Sequence, residues 1–219
     1  IRISSIEASQ IDERVLEVLN QSDKMCRHLH VPIQAGDNTV LKRMRRKYTV
    51  EEYRDKIVKI KEALPNLAIT TDVIVGFPGE TEGMFENTYR LIEELEFAEL
   101  HVFPYSIRTG TPAARMTDQV EEQVKQQRVQ QLIALSEDLS LRYASRFKGD
   151  VLEVIPEQPY KEAPGSGLYE GHSDNYLKLV FPADEQLIGK VCKVRLDKPG
   201  VDYCEGTFVR ELDQIDDAV

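Results

Sequence analysis

Cysteine is scarce in this chain: Cys26, Cys192 and Cys204 are odd in number and far apart. That spacing fits neither a disulfide framework nor a compact metal-ligand motif and reads as three reduced thiols. Long apolar runs are missing as well. No stretch approaches the roughly 18 consecutive apolar residues of a membrane span, and the opening "IRISSIEASQ" has neither the charged head nor the apolar stretch of a signal peptide. A cytoplasmic location and no membrane partner are the expectations. Positive charge is also in short supply, with 28 Lys and Arg against 38 Asp and Glu and a formal net charge of −10. Diffuse attraction to phosphate is therefore disfavoured, and any nucleic-acid contact has to be local.

What is present suffices for a core. The 219 residues are 41% hydrophobic, enough for one large domain or two smaller ones. The chain opens on Ile1, directly in strand-like alternation, which reads as part of a larger protein. Up to about Ser106 short apolar segments, "IRISS", "CRHLHVPI", "AITTDVIVGF" and "AELHVFPYS", alternate with amphipathic ones. "TVEE" from Thr49 is a capping box that starts a helix with Val50, Tyr53, Ile57, Ile60 and Leu64 on one face, stopped by Pro65 and Asn66. A second helix runs from about Thr81 to Leu95, and Asp12 caps a shorter one. Strand, helix, strand in this order predicts parallel strands joined by right-handed crossovers. Four strands cannot close an eight-stranded barrel, so the C-terminal part of a partial α/β barrel is expected.

Thr117 to Phe147 reads as one long connector helix. Beyond Lys148 the period changes to strands: "DVLEVIP", "GLYEGHS", "NYLKLVF", "KVCKVRLD" and "EGTFVREL". They predict a small antiparallel β-barrel. The expected domains are residues 1–147 and 148–212, with a frayed tail at 213–219; "EQPYKEAPGSG" is the expected mobile loop.

Ligands of α/β barrels sit at the C-terminal ends of the strands. Glu7, Gln34 and Ser106 follow strands there, and Asp72 lies inside one, on the face it shares with Ile74. A carboxylate in an apolar strand needs a partner. An internal one, such as Thr70, Thr71 or a loop amide, and a ligand hydroxyl are equally open. "GFPGET" reads as a βα turn before it reads as a ligand loop. His28 and His30 point to one side of their strand; with four histidines and no Cys or Glu at ligand spacing, they read as core or pocket lining, and no metal is expected. Lys42, Arg43, Arg45, Arg46 and Lys47 wind around a short helix, so most are solvated, but at least one is expected near Gln34, where it can meet a carboxylate or phosphate. Arg108 is a similar candidate at the rim.

"SSIEASQ", "HLHVPIQAGDNTVLKRMRRKYT", "TTDVIVGFPGET" and "FPYSIRTGTPAARM" stand in this order. Together they resemble the methylthiotransferase family of radical S-adenosylmethionine (SAM) enzymes, and the C-terminal barrel is similar to a TRAM domain. The resemblance implies that Glu7, Gln34, Arg46 and Asp72 contact SAM, with Arg46 neutralising its carboxylate. It also implies two [4Fe–4S] clusters, one on a CxxxCxxC motif and one on three further cysteines. Neither set is in these residues, so the chain by itself holds no catalytic residue and is expected to be inactive.

"SSIEASQ" and "HVFPYSIRTGTPAA" look most like the branch that methylthiolates threonylcarbamoyladenosine next to the tRNA anticodon. That resemblance implies that one SAM gives a methyl group to a sulfur, and that another gives the adenosyl radical that takes hydrogen from adenine C2. From Lys148 to Leu212 eight basic residues face twelve acidic ones, so the barrel is expected to read RNA through a few residues, Tyr169, Tyr176, Lys178 and Arg195, by stacking and phosphate contacts. The alternatives are an isopentenyladenosine or ribosomal-protein methylthiotransferase, or an RNA-binding module without chemistry.

Overall fold

A computed structural model describes residues 1–212. The expected frayed tail lies outside the described residues. Two compact units divide the chain, the first spanning Ile1–Leu139 and the second beginning at Ser140.

The first unit is built from α1 (Glu13–Gln21), β1 (His28–His30), α2 (Asn38–Arg43), α3 (Val50–Ala63), β2 (Ala68–Val75), α4 (Glu82–Leu95), β3 (Glu99–Pro104) and the start of α5 (Glu122–Ser145). Each of the first four helices opens on a side-chain cap that satisfies otherwise unpaired amides. Asp12 accepts from Val15 N, Asp37 from Thr39 N and Val40 N, and Thr81 from Met84 N. The capping box is present as expected, Thr49 Oγ1 taking Glu52 N and Glu52 Oε2 taking Thr49 N.

The sheet has the order β1-β2-β3, all parallel. The expected first strand is reduced to one bridge, Ser5 with His30, beside the Ile6 N to His30 O bond. Alternation alone suggested more pairing than a three-residue neighbour can offer. One face of the sheet, bearing Leu29, Ile69, Val73, Val75 and Leu100, is buried with Tyr53, Ile57, Ile60, Phe85, Ile92, Leu95 and Leu132 of the helices. This face is the core, and its burial of large side chains contributes on the order of 2 kcal/mol per residue.

After β2, the "GFPGET" turn is closed from within the chain. Gly76 has φ of +71°, and a Cβ there would collide with the Lys125 side chain. Gly79 N donates to Asp118 O, while Arg43 bonds Pro78 O and Asp118. Glu80 accepts from Gly76 N and pairs with buried Arg128 at 2.7 Å. Burial pushes the Glu80 carboxyl upward, against the pull of the Gly76 amide and Arg128. The structural reading of this turn is the one its contacts support.

The α5 helix is shorter than the expected 117–147 and buries Val129, Leu132, Leu135 and Leu139 in the first unit. Ile133 of the expected stripe is exposed, while Lys125, Arg128 and Ser136 of the same helix are buried.

In the second unit, β4 (Val151–Pro159), β5 (Leu168–Ser173), β6 (Lys178–Pro182), β7 (Cys192–Lys198) and β8 (Cys204–Glu211) close into a barrel of order β4-β5-β6-β8-β7. All pairs are antiparallel except β6 with β8. Val154, Leu179, Phe181, Cys192, Val194, Leu196 and Cys204 are buried. β4 continues through Pro159 with a register shift between Pro156 and Gln158, which takes up part of the expected loop and gives a proline a place in the ladder. Gly171 is required there, since a Cβ would run into the Ile155 carbonyl.

Replacing Arg128 by Met leaves Glu80 buried without its countercharge. A loss of about 3 kcal/mol or more is expected in urea unfolding at neutral pH, with a smaller loss when Glu80→Gln is added. Because burial raises the Glu80 pKa, its proton linkage favours folding fully below the unfolded carboxylate range and is lost as pH rises through the folded value. The deficit of the single variant therefore shrinks in acid; an equal deficit in single and double variants would contradict the assignment.

Candidate functional site

The second face of the β1-β2-β3 sheet is polar. Parallel strands are ordinarily apolar on both sides, yet the register sets His30 beside Thr70 and Asp72 beside His101. Thr70 Oγ1 contacts His28 Nε2 at 3.0 Å and His30 Nδ1 at 2.9 Å. Asp72 Oδ1 lies 3.2 Å from both His30 Nε2 and His101 Nδ1. The His30 and His101 rings stack with centroids 5.3 Å apart.

Asp72 Oδ1, as a carboxylate oxygen, accepts from His101 Nδ1, and His30 Nε2 approaches the same oxygen. The direction of each Thr70 bond follows the tautomers of His28 and His30. The partner of Asp72 is thus a pair of imidazoles; neither Thr70, Thr71 nor a loop amide fills that place. Thr71 faces the other way, accepting from Ile33 N and donating to Val31 O. His101 went unread in the sequence. The signal was the alternation Glu99, His101, Phe103 in "ELHVF", which needs the β2–β3 register before it can be attached to Asp72.

At the C-terminal end of β1 the chain leaves the sheet at Pro32 and returns at Gln34. Val31 O accepts from the Tyr53 hydroxyl as well as from Thr71, and Ile33 O accepts from the Tyr48 hydroxyl at 2.9 Å. Gln34 N then donates to Asp72 O, and Ile74 N to Gln34 O. Gln34 is buried and holds φ of +68°, a left-handed conformation rare outside glycine. Strain of this kind persists where surrounding bonds over-determine it and gathers at functional positions. Burial pushes the Tyr48 hydroxyl up to about 12, with Arg46 opposing and Glu7 adding to the shift. Tyr48 therefore stays a neutral donor, and Glu7 and Arg46, two of the three charged side chains of the expected cradle, lie within electrostatic reach of it.

Glu7 and Arg46 are exposed, Gln34 is buried and Asp72 is half-buried. Backbone pairing brings Gln34 and Asp72 together; the charges of Glu7 and Arg46 act on Tyr48, which bonds Ile33 O at the same strand end. Among the basic run only Arg43 is tied down in the turn after β2, and Arg46 makes no ion pair among the described residues. Arg108 and Ser106 are exposed beyond β3. In the second unit Lys178 pairs with Glu170 and Arg195 with Asp197, Tyr176 stacks on His172, and Tyr169 is half-buried. Tyr169 and Lys178 face β6 and β5 respectively within the same antiparallel pair.

A parallel sheet with helices on one face and ligand-type polar groups at the strand ends defines the class. Residues 2–92 match the sequence model of the Radical SAM superfamily. More particularly, the chain is 60% identical to the threonylcarbamoyladenosine tRNA methylthiotransferase MtaB of Bacillus subtilis, over 97% of this chain and 47% of that protein. It is 40% identical to the tRNA-2-methylthio-N(6)-dimethylallyladenosine synthase of Acetivibrio thermocellus, over 96% of this chain and 43% of that protein. The chain thus spans about half the length of these curated relatives. Its fold is similar to that of coproporphyrinogen III oxidase (HemN) from Escherichia coli, with a TM-score of 0.53, 18% identity, and coverage of 90% of this chain and 46% of that one. Among the described residues no helix is long and apolar enough to cross a membrane.

Gln34→Gly is expected to raise the melting temperature by relieving left-handed strain of about 1 kcal/mol, whereas Gln34→Ala keeps the strain and brings no such gain. Equal melting temperatures for the two variants would show that Gln34 is not strained.

Proposed function

We propose that this chain is the C-terminal part of a tRNA methylthiotransferase that acts on C2 of N6-threonylcarbamoyladenosine next to the anticodon. The observation that carries the reading is the 60% identity with MtaB over nearly the whole chain, against 40% with the dimethylallyladenosine synthase. Residues 1–147 form the radical SAM part with its connector and 148–212 a TRAM-like barrel, and the enzyme works in the cytoplasm.

SAM, when bound, supplies the methyl group and the radical chemistry. Glu7, Gln34, Arg46 and Asp72 hold it: the Asp72 carboxylate is an acceptor for a ribose hydroxyl, the Gln34 amide is fixed by its doubly bonded backbone, and the unpaired Arg46 cation meets the amino-acid carboxylate. The donor set fits that ligand. It does not fit an iron–sulfur cluster, since burial pushes the Cys192 and Cys204 thiols up inside the second-unit barrel, and Cys26 belongs to the first unit. No step on a cluster is assigned to these residues, and the chain alone is expected to be inactive.

The barrel supports an RNA partner by its architecture. A five-stranded closed barrel of this kind is that of OB-type folds, which bind oligonucleotides. Its lysine and arginine candidates are internally paired, so Tyr169 and Tyr176 contribute stacking, Lys178 and Arg195 contribute placement, and Arg108 of the first unit offers an exposed charge for phosphate.

Mass spectrometry of nucleosides from tRNA of cells lacking the gene is expected to show loss of the methylthio form of threonylcarbamoyladenosine and accumulation of its precursor. Complementation with Gln34→Ala or Asp72→Ala is expected to restore little of it. If the nucleoside persists in the deletion strain, the substrate assignment falls, and the isopentenyl nucleoside and ribosomal protein become the places to look.

A further inference from the structure

The His30, Asp72 and His101 cluster has a geometry that ribose binding does not call for. Each residue stands on a different strand of one parallel sheet, β1, β2 and β3, and one ligand atom from each lies within 4.8 Å of the others. Two of the separations are 3.2 Å. Four ligands about 2.0–2.1 Å from a tetrahedral zinc ion are spaced by about 3.3 Å, so these edges already have the required length.

The nitrogens pointing away from the cluster are held as well. His30 Nδ1 is fixed by Thr70 Oγ1 at 2.9 Å, and Thr70 is itself held by His28. His101 Nε2 faces Glu99 Oε1 at 3.8 Å. Ligating histidines are characteristically oriented through the other ring nitrogen by a hydroxyl, carbonyl or carboxylate. His30 Nε2 and His101 Nδ1 each lie 3.2 Å from Asp72 Oδ1. Asp72 and His101 keep side-chain exposures of 29% and 37%, so further coordination positions open to water or a ligand.

The geometry points to a site for a divalent cation of the zinc type, held by His30 Nε2, the Asp72 carboxylate and His101 Nδ1 on the polar face of the β1-β2-β3 sheet. Two imidazoles and one carboxylate select Zn²⁺, Co²⁺ or Fe²⁺ over Mg²⁺ and Ca²⁺, which prefer oxygen. The ion changes what the face can bind. Asp72 and Glu99 alone repel an anionic group, whereas a cation between the imidazoles accepts an oxygen donor at its open positions. The inference goes beyond the SAM reading but shares Asp72 with it, so the test is made without SAM.

The 219-residue chain, free of any histidine tag and stripped with a chelator, is titrated with Co²⁺ and followed by visible absorption and equilibrium dialysis. One equivalent per chain is expected, displaced by Zn²⁺, with the spectrum of a nitrogen and oxygen site and no thiolate charge-transfer band. His30→Ala, Asp72→Asn and His101→Asn are each expected to weaken binding at least tenfold while the far-ultraviolet circular dichroism is unchanged. Should His30→Ala fail to fold, half-exposed His101→Asn carries the test alone. Failure to take up stoichiometric Co²⁺, uptake that survives these substitutions, or a thiolate band would overturn the site and leave the cluster a hydrogen-bond network.

Discussion

The departure of the chain from the sheet at Pro32, just beyond β1, is the constraint on which the first unit depends. A proline has no amide to give the sheet, and the residues around it carry carbonyls and amides that cannot be buried unpaired. Tyr53, Thr71 and Tyr48 supply the missing partners from α3, β2 and the segment before α3. Their bonds pin the strand end to the helical side of the sheet and bring Gln34 back against β2 in a left-handed conformation. The helix packing, the direction of the strand end and the placing of the buried amide are one arrangement.

The two faces of the sheet divide its work. Leu29, Ile69, Val73 and Val75 give the stability, and that allows Thr70, Asp72, His30 and His101 to be polar on the reverse. The turn after β2 is secured differently, by Glu80 and Arg128 buried together and by Arg43 reaching Pro78 and Asp118. A buried pair of this kind is weak as net stabilisation and strong as a lock, because neither partner can be removed alone. The β2 end is thereby held next to Gln34.

Much of this was legible in the sequence, and for physical reasons. Caps at Asp12 and Thr49 are local, requiring only the next three residues. The barrel strands after Lys148 alternate regularly and are bounded by turn residues, so all five were visible. Relations across strands were not. The partners of Asp72 depend on the β2–β3 register, which hid His101, and "IRISS" carried the alternation of a strand while its short neighbour admits one bridge. The basic run after β1 could be read as charge but not as roles. Its division into an anchored Arg43 and an unpaired Arg46 follows from where the turn after β2 folds back. The SAM positions came from family resemblance, and the structure supplies the backbone reasons why Gln34 and Asp72 are neighbours.

The central claim is that the polar face and the strand end at Gln34 form the ligand side of this molecule. A crystal structure of the protein with SAM bound tests it most directly. The account predicts ligand contacts from the Gln34 side chain and Asp72, with Arg46 at the amino-acid end and the second-unit barrel untouched. SAM seated against the helices or in the second unit, with Gln34 and Asp72 free of it, would contradict the account.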